Sequence, residues 1–222
     1  MYIRMHKEGW VFFIPTIILT IISFPFFPII GLFLLFLSFC FFYFFRDPIR
    51  IIPNEDVVVA PADGKIVFVG KSSYPEESKI NANCLKVSIF LDLYNVHVNR
   101  IPISGVIKEI IYVPGKFFRA NVDKSSKENE RNIIIIEDDK KQKIVVSQIA
   151  GLVARRIVCD LKVNQQVIKG NRFGIIKFGS RVDLFLPETY IPNILEGQTI
   201  IGGETIISNP KNIKTISNYL KI

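Results

Sequence analysis

Histidine, cysteine and tryptophan are nearly missing from this sequence: two, three and one in 222 residues. His6 precedes a long apolar run and is not expected to reach a site further on, so His97 is the one imidazole left for the rest of the chain. One imidazole without a cysteine or carboxylate cluster cannot assemble a metal site, and none is expected. Cys40, Cys84 and Cys159 are an odd number with no close pairing. That excludes a disulfide framework and fits reduced thiols facing a cytoplasmic compartment. The formal charge is +8, but the basic residues are scattered and no aromatic-basic stripe appears, so nucleic acid is not the expected partner. An anionic membrane surface is the simpler one.

Charge is absent altogether from Gly9 to Phe45, where Phe, Ile and Leu dominate. The run exceeds the ~20 residues of one transmembrane helix. Pro25 and Pro28 divide it, because proline breaks helices and holds the preceding residue extended. The expectation is an N-terminal transmembrane helical hairpin over residues 1–50, either two short spans or a re-entrant loop. A cleaved signal peptide is disfavoured by the length and by the lack of a small-residue cleavage site. Arg4 and Lys7 before the run, with Arg46 and Arg50 after it, suit two crossings with both ends cytoplasmic. This places the remainder on the cytoplasmic side of the cell membrane.

Residues 51–222 read as a mainly β domain, compact and built of short strands. Strands are expected at Val57–Ala60, Lys65–Val69, Leu85–Leu91 and Gly105–Val113, with Ile133–Glu137 and Lys143–Ile149 forming a hairpin. No helical period of globular length appears outside the apolar run. Gly115–Asn132 is a long polar loop, hence functional or mobile. A weak late repeat, Gln166-Val167-Ile168-Lys169-Gly170 against Gln198-Thr199-Ile200-Ile201-Gly202-Gly203, suggests swapped-hairpin units.

Phe178-Gly179-Ser180 sits between two strand-like runs. A glycine inside a strand pattern marks a bulge or a close backbone approach, and it leaves the Gly179 carbonyl open to attack by the Ser180 hydroxyl. An ordinary turn serine is the plainer alternative. Ser180, His97 and Asp63 are the ingredients of a base-activated hydroxyl nucleophile, although an Asp in Pro61-Ala62-Asp63-Gly64 is ordinarily a turn former. A lipase-type elbow would need Gly-x-Ser-x-Gly before a helix; here Arg181-Val182-Asp183 continues as strand.

Several ordered pieces together resemble the short, pyruvoyl-dependent phosphatidylserine decarboxylases. They are Phe45-Arg46-Asp47-Pro48-x-Arg50, Pro61-Ala62-Asp63-Gly64-Lys65, His97-Val98-Asn99-Arg100, Asp123-Lys124-Ser125 with Asn129-Glu130-Arg131, Gln148-Ile149-Ala150-Gly151, Arg172-Phe173-Gly174 and Phe178-Gly179-Ser180. The resemblance implies a proenzyme cut between Gly179 and Ser180 into a large and a small chain, with Ser180 left as a covalent pyruvoyl cofactor. The implied reaction turns phosphatidylserine into phosphatidylethanolamine, the ketone drawing off electrons as CO₂ leaves. His97 would move protons, oriented by Asp63. Long members carry a second histidine where Arg100 stands. Arg100, Lys124 and Arg131 are the implied candidates for binding the lipid headgroup. Phe117-Phe118-Arg119 would dip among headgroups, and a dimer is the default assembly. The alternatives are a membrane-anchored serine hydrolase using Ser180, His97 and Asp63, a decarboxylase of a related serine ether lipid, and a tethered β-domain without enzymatic activity.

Overall fold

A computed structural model describes residues 3–117, 128–151, 156–177 and 180–209. In chain order the elements are β1 (Ile3–Met5), α1 (Lys7–Ser23), α2 (Pro28–Phe44), β2 (Arg46–Pro48), β3 (Val58–Val59), β4 (Gly64–Ser73), β5 (Asn83–Leu91), β6 (Val98–Arg100) and β7 (Gly105–Val113). They continue with β8 (Arg131–Glu137), β9 (Lys143–Ala150), β10 (Ile157–Cys159), β11 (Gln166–Val167), β12 (Arg172–Ile176), β13 (Ser180–Pro187), β14 (Ile191–Pro192), β15 (Thr199–Ile200) and β16 (Ile206–Asn209).

The uncharged run folds as a helical hairpin. Pro28 starts α2, where a missing N–H costs nothing, and His6 caps α1 by accepting from Glu8 N. Each helix has 17 residues, about 26 Å at 1.5 Å per residue. The expected hairpin is present as two helices, neither of them long and apolar enough to cross a membrane. The hairpin nonetheless leaves large apolar side chains bare along both helices and their turn, among them Val11, Ile21, Phe26, Ile29, Phe33 and Phe39, each above 60 % exposed.

The β domain centres on an eight-stranded antiparallel sheet in the order β11-β7-β8-β9-β13-β5-β4-β15. Two three-stranded sheets accompany it, β10-β12-β6 and β14-β16-β3. Several strands are longer than the short ones expected; β4 has ten residues and β5 nine. One core lies on the face carrying Val182, Leu184, Val146 and Ile134, and a smaller one on the face carrying Ile133, Val145 and Phe185.

The late repeat belongs to a pseudo-twofold. β3-β4 with β15-β16 form one four-stranded unit, and β6-β7 with β11-β12 the other. Val59-Ala60-Pro61-Ala62-Asp63-Gly64 matches Arg100-Ile101-Pro102-Ile103-Ser104-Gly105, and the units exchange reciprocal bonds, Val59 N to Pro102 O and Arg100 N to Pro61 O. Gly170 N donates to Ile101 O just as Gly203 N donates to Ala60 O. These two glycines sit at φ +81° and +83° with Ile52 packed on both. Such backbone is open to glycine and strained for other residues. The bulges correspond as well, between Ile66 and Phe68 in β4 and between Ile107 and Glu109 in β7.

Candidate active site

Ser180 begins β13, a central strand, with Leu91 of β5 and Ala150 of β9 as its cross-strand partners. Alternation puts Ser180 on the face of Val182 and Leu184, towards the main core. It is fully buried, and its Oγ has no hydrogen-bond partner among the described residues. Gly179 and Lys124 lie outside the described residues.

His97 immediately precedes β6, whose Val98 pairs with Ile175 of β12. The imidazole is completely buried and stacks on Phe44 at 4.3 Å, so the last turn of the hairpin roofs the site. Its Nδ1 lies 3.0 Å from Asn95 O. A carbonyl can only accept, so Nδ1 carries the proton and Nε2 keeps its lone pair. Nε2 has no partner. Burial, reinforced by Arg46, pulls the pKa down to about 4, the Asn95 carbonyl opposing. At neutral pH His97 is therefore an uncharged base with its lone pair free.

Among the described residues the hydrogen bond to the His97 ring is made by the Asn95 carbonyl and not by Asp63. The Asp63 carboxylate accepts from Arg50 Nη2 at 2.7 and 3.0 Å and from Gly202 N at 2.8 Å. Ser104, its counterpart in the other half, accepts from Lys169 N in the same way. Burial raises the Asp63 pKa, with Arg50 pulling against it. The pseudo-twofold thus accounts for Asp63 as the clasp of a glycine turn.

Nor are the headgroup candidates free beside Ser180. Arg100 is buried, donating to Gly170 O, Asp47 Oδ1 and Pro48 O, each at 3.0 Å. Arg131 lies on the opposite face of the sheet, the face of Ile133, bonded to Glu77 and to Asn129 O. Phe117 packs against the main core instead of reaching outward; Phe118 and Arg119 lie outside the described residues. The cation to which sequence reasoning gave no site role is Arg46. Partly exposed at the base of the hairpin, it stacks on Tyr43 at 3.9 Å and donates to Tyr43 O and Tyr94 O. Its position directly after the apolar run offered no signal of closeness to His97.

A sequence profile described as phosphatidylserine decarboxylase matches residues 37–208. The chain belongs to the phosphatidylserine decarboxylase family, whose members are carboxy-lyases. It is 51% identical over 212 residues to a phosphatidylserine decarboxylase proenzyme of Wolbachia sp. subsp. Brugia malayi, covering 92% of this chain and 90% of that one. Proteins of the same name from Ehrlichia chaffeensis and Rickettsia prowazekii are 47% and 45% identical, over 92% and 95% of this chain and 91% and 92% of theirs.

Proposed function

We propose that the chain is a proenzyme that cuts itself before Ser180 and then decarboxylates phosphatidylserine to phosphatidylethanolamine at a lipid surface. The observation that carries this reading is the pair of buried, unpartnered groups: a Ser180 hydroxyl and a neutral imidazole whose lone pair is uncommitted. Full burial separates self-processing from hydrolysis. An external ester does not reach Ser180 Oγ in the uncut chain, whereas the carbonyl preceding Ser180 is bonded to that residue's own nitrogen and is always at hand. A buried hydroxyl with no acceptor fits the origin of a pyruvoyl group. Once formed, that group supplies an electron sink for the loss of CO₂ from the serine headgroup. His97 Nε2 takes and returns protons within the site, and the Asn95 carbonyl holds its tautomer. Breaking the chain at this bond opens the side by which the headgroup amine arrives.

The same reading immerses the hairpin in the bilayer, because its bare apolar flanks form a patch far larger than a soluble surface carries. Trp10, Tyr43, Tyr94 and Arg46 gather at its base, where ring and guanidinium groups suit the headgroup layer. Arg46 is then the cation placed for the lipid phosphate, close to the roof over His97. The catalytic domain would sit on the cytoplasmic face of the cell membrane.

The test is mass spectrometry of the expressed protein, with lipid turnover in vesicles containing phosphatidylserine. The expected result is a chain cut before position 180, a small chain blocked by a pyruvoyl group, and no cut in Ser180→Ala. An intact, active protein that a fluorophosphonate labels at Ser180 would instead establish the hydrolase.

A further inference from the structure

Among the described residues, four buried side-chain atoms lack a hydrogen-bond partner: Arg50 Nε, His97 Nε2, Asn99 Nδ2 and Ser180 Oγ. Asn99 ends a relay of buried amides. Asn132 Nδ2 donates to Gln148 Oε1 at 3.0 Å, and Gln148 Nε2 donates to Asn99 Oδ1 at 2.8 Å. All three side chains are buried, Asn99 and Gln148 completely. In this relay the Asn99 carbonyl is committed, and its NH₂ remains a donor with nothing to receive it. Buried donors are ordinarily satisfied, so an orphan held in place by two further amides points to an acceptor that arises during the reaction.

The register says where that donor lies. Gln148 is opposite Val182, and Ala150 is opposite Ser180. Residues two apart in a strand share a face, so Gln148 and Ser180 look the same way across a diagonal of roughly 7–8 Å. Asn99 enters this corner from β6, two residues along from His97.

We propose that Asn99 Nδ2 donates to the oxyanion formed when Ser180 attacks the carbonyl preceding it. Asn99 is then a catalytic residue of self-cleavage, with Gln148 and Asn132 as its positioning residues. The inference rests on the Ser180 reading given above. In the step, Ser180 Oγ bonds to the carbonyl carbon of residue 179, the hydroxyl proton passes to His97 Nε2, and the carbonyl π pair moves onto oxygen. Collapse of the oxyanion breaks the C–N bond as the proton is returned to the α-amine of Ser180, and an ester replaces the peptide bond. No outside oxidant or reductant is required.

The experiment follows cutting of the full-length precursor on denaturing gels, with hydroxylamine added to trap the ester. Asn99→Asp keeps the shape and the acceptor for Gln148 but replaces the donor with a carboxylate. Its cutting is expected to be slower by roughly 10²–10³-fold near neutral pH, the usual effect of losing one oxyanion donor. The rate should recover relative to wild type as pH falls and the carboxyl gains a proton to donate. Cutting at the wild-type rate, or a pH profile parallel to wild type, overturns the proposal. If that variant does not fold, Asn99→Ser and Asn99→Ala decide. Both shorten the side chain, but only serine can donate, so equal rates overturn the proposal and a faster serine variant supports it. A wild-type chain left uncut before position 180 overturns the Ser180 reading together with this one. A wild-type cut with an unslowed Asn99→Asp overturns this one alone.

Discussion

His97 shows how far one side chain's surroundings set its chemistry. Its pKa lies near 4 in the folded protein against about 6.5 in an unfolded chain. Above pH 6.5 neither state is protonated, and the histidine contributes no pH dependence. Between about 6.5 and 4 the unfolded state takes up a proton that the folded state refuses, so stability falls with falling pH. The loss approaches roughly 3 kcal/mol and stays in place below pH 4. Urea melts of the uncut Ser180→Ala precursor at pH 7 and pH 4.5 are expected to show this loss, and His97→Gln in the same background should largely abolish it. Phe44→Ala, which opens the roof over the ring, should raise the His97 pKa, as followed by NMR titration of the imidazole. Sequence reasoning reached His97 through the scarcity of alternatives and Ser180 through a Gly-Ser step between two strand-like runs. It missed Asn99 because nothing local distinguishes a solvated amide from one held by two others. It paired Asp63 with His97, whereas the hydrogen bonds of Asp63 go to Arg50, 13 residues back, and to Gly202, 139 residues on.

Among the elements, the short segment after the hairpin carries more than its length suggests. β2 pairs with β1, and its Asp47 accepts from Arg100 of β6 and Arg172 of β12. Asp47 is 5% exposed, so Asp47→Ala leaves two guanidinium groups without their counter-charge. A loss of about 3–5 kcal/mol is expected in denaturant melts, in line with other broken buried pairs. The glycine turns are comparably unforgiving. A Cβ at Gly203 would lie 2.9 Å from Ile52 and 3.0 Å from Arg100 at φ +83°, and Gly203→Ala should cost about 1–3 kcal/mol. The strands of the central sheet were legible because alternation and turn residues are local, and Gly105–Val113 begins and ends where the pattern does. The twofold was legible only in its second half. Its first half is masked in the sequence by divergence: Arg100 replaces Val59, and Ser104 replaces Asp63. Only the shared hydrogen bonds reveal the correspondence.

At the scale of the whole molecule, the hairpin and the domain meet as one construction. Phe44 and Phe45 join Val96, Val98 and Ile175 in a common cluster. Lys7 and Lys177 tie the first turn of α1 to the domain, Lys7 to Asp160 and Lys177 to Glu8, each at 2.6 Å. Glu8→Gln unpairs Lys177, which lies three residues before Ser180 and is only 7% exposed. This variant is expected to slow self-cutting on a gel time course even in detergent, where lipid access plays no part. The length of the apolar run was plain in the sequence, but its seat on the domain was not, since that rests on contacts between residues distant in the chain, such as Lys7 with Asp160 and Arg46 with Tyr94.

β13 is hydrogen-bonded on both sides, by β9 and by β5. A cut at its first residue alters which atoms are joined but not which strands are neighbours, so the two pieces should migrate together until denaturant separates them. Before the cut, refolding is a search within one molecule; afterwards it becomes an encounter between two, and dilution slows it. The mature protein would hold an arrangement that it could reach only once, while still whole.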